Sequence, residues 1–145
     1  MDNVVASDSM IFEKDGSWWL FTNIDPVEAD CCSELYIFFS ESPLGDAWTP
    51  HPKNPIFIDS LKARNGGLLF HRGSIYRVGQ KQGFGRYGKS TSINRIDVLT
   101  KEEYSETQIC HVEPNFFPEI IGTHHFHSND GVCVFDYVEV TNTGK

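Results

Sequence analysis

Several groups of residues in this 145-residue chain are of types that could do chemistry. Residues 83–90, Gly-Phe-Gly-Arg-Tyr-Gly-Lys-Ser, fit the phosphate-binding pattern G-x-x-x-x-G-K-[ST], and Gly83, Gly85 and Gly88 also fit G-x-G-x-x-G. In either motif backbone amides and a helix N-terminus hold the phosphate, so a strand must precede and a helix must come after. The residues beyond Lys89 are instead rich in β-branched and cap-forming types, which disfavour helix. We read the segment as a glycine-rich loop joining two antiparallel strands. His124, His125 and His127 invite a metal, but on a strand only His125 and His127 share a face. Two ligands are too few for zinc, and His71 and His111 could be recruited only through the fold. A polar rim or substrate contact is the better reading, and no metal or other cofactor is expected.

A more useful set is Asp8, Arg64, Asn65, His124 and His125. A carboxylate accepts from sugar hydroxyls, a guanidinium offers a planar fork to an acidic sugar or a phosphate, and imidazoles donate or accept. Asp8 is the only catalytic candidate; Asp97 and Asp136 read as turn or strand-end residues. No G-x-S-x-G elbow and no Cys/His pair with an orienting third group is present. Trp18, Trp19 and Trp48 could stack on a sugar, although strand alternation turns one of Trp18 and Trp19 into the core.

The elements that must position these residues are three copies of one hairpin. Apolar runs flank Asp15-Gly16, Arg72-Gly73 and Asp130-Gly131, and the turn glycines at 16, 73 and 131 are 57 and then 58 residues apart. Asp-Gly between apolar runs is a strong hairpin signal, because a type I′ turn needs positive φ at both central positions. Self-similarity at a fixed period points to a repeat architecture. The expected fold is all-β: a partial β-propeller of about two and a half to three antiparallel blades. Residues 1–145 are read as a single domain, with blade-like units at about 7–55, 62–112 and 120–140. Asp8 and the pair Arg64-Asn65 stand before the first strands of the first two units, and His124-His125 open the third. In a propeller these positions converge on one mouth of the central channel. Thr100 and Glu103 fit a capping box, so one helical turn is expected between the last two strands of the second unit. The tail after about residue 138 reads as frayed.

Composition excludes several classes. Eleven Phe, five Tyr and three Trp favour strands, and a net charge of −8 argues against nucleic acid. No run approaches the ~18 apolar residues of a membrane helix. The N-terminus lacks the pattern of a signal peptide. Cys31, Cys32, Cys110 and Cys133 lack a framework spacing and read as reduced thiols of a cytoplasmic protein. Open strand edges template association, so a homo-oligomer is expected, a dimer foremost, closing the ring head to tail.

The words of the sequence also resemble a known family. They include Asp8-Ser-Met-Ile-Phe, Ser40-Glu-Ser-Pro-Leu-Gly45, the stretch from Trp48 to Asn54-Pro55, Ala63-Arg-Asn-Gly-Gly67, Tyr76-Arg-Val-Gly-Gln80 and Leu99-Thr-Lys-Glu-Glu-Tyr104. In this order they resemble the N-terminal propeller domain of glucosamine inositolphosphorylceramide transferase-like proteins, over roughly residues 6 to 138. That domain is similar to the five-bladed propellers of arabinanase, levansucrase and invertase hydrolases. The resemblance aligns this chain with the later blades only. It implies that Asp8 matches the pKa-modulating carboxylate of those hydrolases, with no counterpart here for the base or the acid. Glycoside hydrolysis needs two carboxyl groups about 5 to 10 Å apart. The resemblance also places the transferase activity in a different domain. The expected function is therefore a non-catalytic or weakly catalytic carbohydrate-binding module with a sugar or sugar-phosphate ligand at the channel. The alternatives are a glycosidase-type enzyme completed across the oligomer, and a structural or interaction protein without a small ligand.

Overall fold

The computed structural model describes residues 4–26, 33–45, 47–83, 86–129 and 131–140. The Cys31-Cys32 pair, Asp130, the tip of the glycine-rich loop and the end of the polar tail lie outside these. Among the described residues the chain is all β. The first unit comprises β1 (Ala6–Lys14), β2 (Ser17–Ile24), β3 (Glu34–Ser40) and the two-residue strands β4 (Thr49–Pro50) and β5 (Phe57–Ile58). The second holds β6 (Asn65–His71), β7 (Ser74–Gly83), β8 (Arg86–Leu99) and β9 (Tyr104–Val112). The remainder forms β10 (Ile120–Gly122), β11 (Phe126–Asn129), β12 (Val132–Phe135) and β13 (Val138–Glu139).

The two complete units are antiparallel meanders, β1-β2-β3-β4 and β6-β7-β8-β9. The turns that make them are those legible in the sequence. Asp15 and Gly16 have φ of 52° and 75°, and Arg72 and Gly73 have 49° and 77°. Positive φ at both centres matches the right-handed twist of the flanking strands. β5 pairs with β3 beyond β4, so the proline-rich stretch hugs one sheet edge, where a missing ladder donor is tolerated. There the Asn54 side chain stands in for a strand: Ile37 N donates to its Oδ1 (2.8 Å) and its Nδ2 donates to Ile37 O (2.7 Å).

β8 directly succeeds the glycine-rich loop, and Gly83 pairs with Arg86 in an antiparallel ladder. With a strand in place of a helix after Gly88, the segment lacks the helix N-terminus that a phosphate-binding loop needs. The helical turn expected at 100–103 does not form. The Thr100 hydroxyl does accept from Glu103 N (2.9 Å), but Thr100 N donates to the Glu103 carbonyl (2.9 Å) and Glu103 reaches Lys53 instead of turning back. Ladder closure between β8 and β9 claims the backbone groups that a helix would use, and the result is a hairpin turn.

The two meanders pack on each other through an aromatic-rich core. Phe12, Trp19, Phe21, Leu35 and Ile37 from the first unit meet Ala63, Leu68, Leu99 and Tyr104 from the second. Phe21 and Tyr104 meet edge to face with centroids 5.7 Å apart, a favoured aromatic geometry. Trp19 is the tryptophan that alternation turned inward; Trp18 is half-buried. His51 adds a polar tie, buried with Nδ1 accepting from Lys53 N and Nε2 facing the Thr100 carbonyl, both at 3.2 Å. Burial pushes its pKa below the ordinary imidazole value.

The three first strands lie side by side. Between β7 and β11 in its sheet, β6 pairs in parallel with β11, with Ser128 opposite Leu69, and it also contacts β1. The third hairpin is thereby joined to the second meander in one six-stranded sheet, β12-β11-β6-β7-β8-β9. β12 ends that sheet and exposes Val132, Val134 and Phe135.

Candidate functional site

The first strands of both complete units break register at matching places. β1 has a bulge between Ser7 and Met10, and β6 has one between Asn65 and Gly67. Bulges re-aim side chains and are frequent beside functional sites. The first carries Asp8 at φ 50°, left-handed backbone that Asp tolerates better than most residues. Asp8 and Asn65 thus lie inside β1 and β6, although the hairpin pattern set them just ahead of the strands. Alternation predicts strand starts poorly where a bulge resets the phase.

The bulges bring Asp8, Arg64 and Asn65 together. Arg64 Nε donates to Asp8 Oδ2 (2.5 Å), and Asn65 Nδ2 donates to the Asp8 carbonyl (3.2 Å). Arg64 and Asn65 are buried, and the Asp8 side chain keeps about a quarter of its exposure. His124 and His125 arrive at β6 from the β11 side, just ahead of that strand. A Cβ at Gly66 would overlap the His124 carbonyl oxygen, and one at Gly67 would overlap the Phe126 carbonyl and lie 3.6 Å from His125 Cε1. Only hydrogen side chains permit this approach. The five residues singled out in the sequence therefore surround the start of β6. His71 and His111 do not join them: His71 is exposed beside the β6–β7 turn, and His111, on β9, contacts Glu113 just beyond it. Among the described residues no group of three His, Cys, Asp or Glu could hold a metal ion.

A buried polar scaffold holds the cluster from behind, and sequence reasoning missed most of it. Asn23 Oδ1 accepts from Asn65 N (2.9 Å) while its Nδ2 donates to the Ala63 carbonyl (3.1 Å). Gln80 Nε2 donates to the Asn65 carbonyl (2.5 Å). Arg77, wholly buried, donates to the carbonyls of Lys62 (2.9 Å) and Ala63 (3.4 Å) and forks onto Glu106, with Nε–Oε2 at 2.7 Å and Nη2–Oε1 at 2.6 Å. The Tyr104 hydroxyl also donates to Glu106 (2.5 Å). Burial works against the Arg77 charge, but Glu106 outweighs it and raises its pKa. Burial likewise favours a neutral Glu106, yet Arg77 and the Tyr104 hydroxyl hold its carboxyl below the ordinary carboxylate value. One signal for this pair was available. Arg77 shares its face of β7 with Ile75, which packs against the core, and a charge at an inward strand position demands a buried partner.

Asp136 was also missed as a site residue. Its Oδ1 accepts from His124 N (3.0 Å) and His125 N (2.8 Å), and its Oδ2 lies against His124 Nδ1. It is a strand-end residue, as its position between β12 and β13 indicated, and the clamp it forms depends on a contact across 12 residues.

Residues 2–116, from the first meander through β9, match the family model described as glucosamine inositolphosphorylceramide transferase 1, N-terminal. The chain belongs to that family. Two curated relatives are the glucosamine inositolphosphorylceramide transferase 1 proteins of Oryza sativa subsp. japonica and Arabidopsis thaliana, each 44% identical over 106 residues. The aligned part covers 70% of this chain and 14% of the length of either relative. No solved structure matches the chain. Within the family match lie Asp8, Arg64, Asn65, Arg77 and Glu106; His124, His125 and Asp136 lie beyond it.

Proposed function

We propose that this domain is a propeller-type carbohydrate-binding module, non-catalytic or weakly catalytic, that takes a hydroxyl-rich ligand beside the start of β6. The observation that carries the reading is that Asp8, held by Arg64 and Asn65, and the His124-His125 segment both abut the start of β6. Asp8 accepts ligand hydroxyls, and the imidazoles donate or accept. Both carboxylates at this place are engaged in holding structure, Asp8 by Arg64 and Asp136 by the His124-His125 segment. That favours binding over hydrolysis. The relatives' name combines an amino sugar with inositol and phosphate, which sets the ligand panel: glucosamine, myo-inositol and inositol 1-phosphate.

Calorimetric titration of the full chain tests the reading. One member of the panel should bind, and Asp8→Asn should weaken it by about tenfold or more, the worth of one charge-assisted hydrogen bond. Asparagine tolerates the left-handed backbone at this position, so the substitution removes the charge without straining β1. Silence across the panel at millimolar concentration, or unchanged affinity in the variant, would sink the proposal.

Self-association belongs to the same proposal. Among the described residues β12 ends the six-stranded sheet, and an open edge of this kind can take the first unit of a second copy, so that two copies close head to tail. Light scattering over a wide dilution series should give twice the chain mass. A monomer at every concentration would refute it.

A further inference from the structure

We propose that the cavity between β8, the end of β9 and the third hairpin is a binding site for a single alkyl chain, as carried by a fatty alcohol or another amphiphile. It is a second site, apart from the polar cluster at the start of β6, and it stands whether or not that cluster takes a sugar. Three observations carry it.

First, the space exists and has depth. The cavity measures about 280 Å³, and an apolar cavity of about 150 Å³ already holds benzene. Its walls run from Phe116, Phe117 and Phe135, at 37%, 56% and 43% exposure, to Thr91 and Thr123, at 2% and 3%. Lining that is half-exposed at one end and buried at the other marks a pocket entering the protein, not a flat patch.

Second, the lining is hydrocarbon. Thr91 and Ile93 are two apart on β8 and share a face, and Val112 and Phe126 complete the walls. No charged residue is among the described residues that line the cavity. The Thr123 hydroxyl is already given to the Asp136 carbonyl (2.9 Å). A sugar or a phosphate entering here would lose its water without polar groups to replace it, so the buried part of the ligand is apolar.

Third, the rings at the cavity are engaged with one another. Phe116 meets Phe117 at 5.8 Å and 79°, and Phe135 at 5.3 Å and 87°, both edge to face. Those contacts already pair ring edges with ring faces, the arrangement aromatic quadrupoles favour. An aromatic ligand would have to compete for them. A flexible chain needs only dispersion and exclusion of water, and fits irregular walls by rotation about its bonds.

Titration of the full chain with linear primary alcohols, from butanol to decanol, tests the proposal through carbon–proton correlation spectra. The methyl signals of Ile93 and Val112 should shift and saturate, while those of Ile11 and Ile58, exposed on the first unit, stay in place. Affinity should rise about fourfold per added methylene, the worth of one buried CH₂, and level off once the cavity is full. Val112→Trp places an indole in the cavity and should weaken octanol binding by about tenfold or more. Phe117→Ala removes a half-exposed wall and should weaken it by about tenfold. Equal shifts at Ile11 and Ile58, or an affinity indifferent to chain length, would overturn the proposal. So would benzyl alcohol binding more tightly than heptanol, or unchanged affinity in either variant. If Val112→Trp fails to fold, Phe117→Ala and the chain-length series still decide.

Discussion

Replacing Glu106 by glutamine should lower the unfolding free energy by about 3–5 kcal/mol, the usual cost of removing one member of a buried ion pair. The side chains of Arg77 and Glu106 are 0% and 1% exposed, so neither water nor salt can replace the lost partner. Glutamine keeps one acceptor oxygen but leaves the Arg77 charge uncompensated. The pair also ties β7 to β9 and, through Arg77, to the carbonyls of Lys62 and Ala63 behind Asp8 and Asn65. Urea unfolding measures the loss, and a shift below about 1 kcal/mol would contradict the role assigned to the pair.

The pH dependence supplies a sign. Glu106 ionises more readily in the folded chain than in the unfolded one, because the charge and hydrogen bonds of Arg77, with the Tyr104 hydroxyl, outweigh the opposing burial. A carboxyl depressed in the native state contributes stability above its unfolded pKa, here near the ordinary 4.5, and loses it as the pH falls through the lower native value. The wild type should therefore lose stability steeply below about pH 4.5. Glu106→Gln should lack that component and give a flatter profile in the same window. Parallel acid limbs in the two proteins would argue against it.

Gly67→Ala is the second large effect. Gly67 has φ +131°, outside the left-handed helical region that other residues visit, and a Cβ there would overlap the Phe126 carbonyl. The neighbour is backbone, not the end of a flexible side chain, so β6 and β11 must part. Overpacking and backbone strain together should cost about 3 kcal/mol or more. Gly16→Ala is the control: φ is also positive, at +75°, but no atom stands within 4 Å, so only the conformational cost of about 1–2 kcal/mol remains. Hydrogen exchange locates the damage. Gly67→Ala should strip protection from β11 and β12, and with it displace His124 and His125, while β1, β2 and β3 stay protected. Equal losses from the two glycine variants would rule out the close approach as the reason for Gly67.

How much of this was legible beforehand depends on how local each determinant is. The hairpins at 16 and 73 were readable because positive φ at Asp15-Gly16 and Arg72-Gly73, and the apolar alternation around them, are properties of a few adjacent residues. The phosphate-loop motif could be set aside for the same reason, since the residues after Gly88 oppose a helix on their own. The helical turn at Thr100 failed because a capping box is local too, and the β8–β9 ladder outcompeted it for the same backbone groups. The five candidate site residues could be named from their place in the repeats. Their buried supports could not, because Arg77 finds Glu106 across 29 residues and Arg64 finds Asp8 across 56. The sequence by itself determined the strands, the turns and which residues would stand at the start of each repeat, because those arise from side-chain period and backbone sterics. Tertiary structure decided which charges pair, where β1 and β6 bulge, and that Asp136 grips the histidines. Those outcomes depend on which groups are buried opposite one another, and burial is a property of the packed chain.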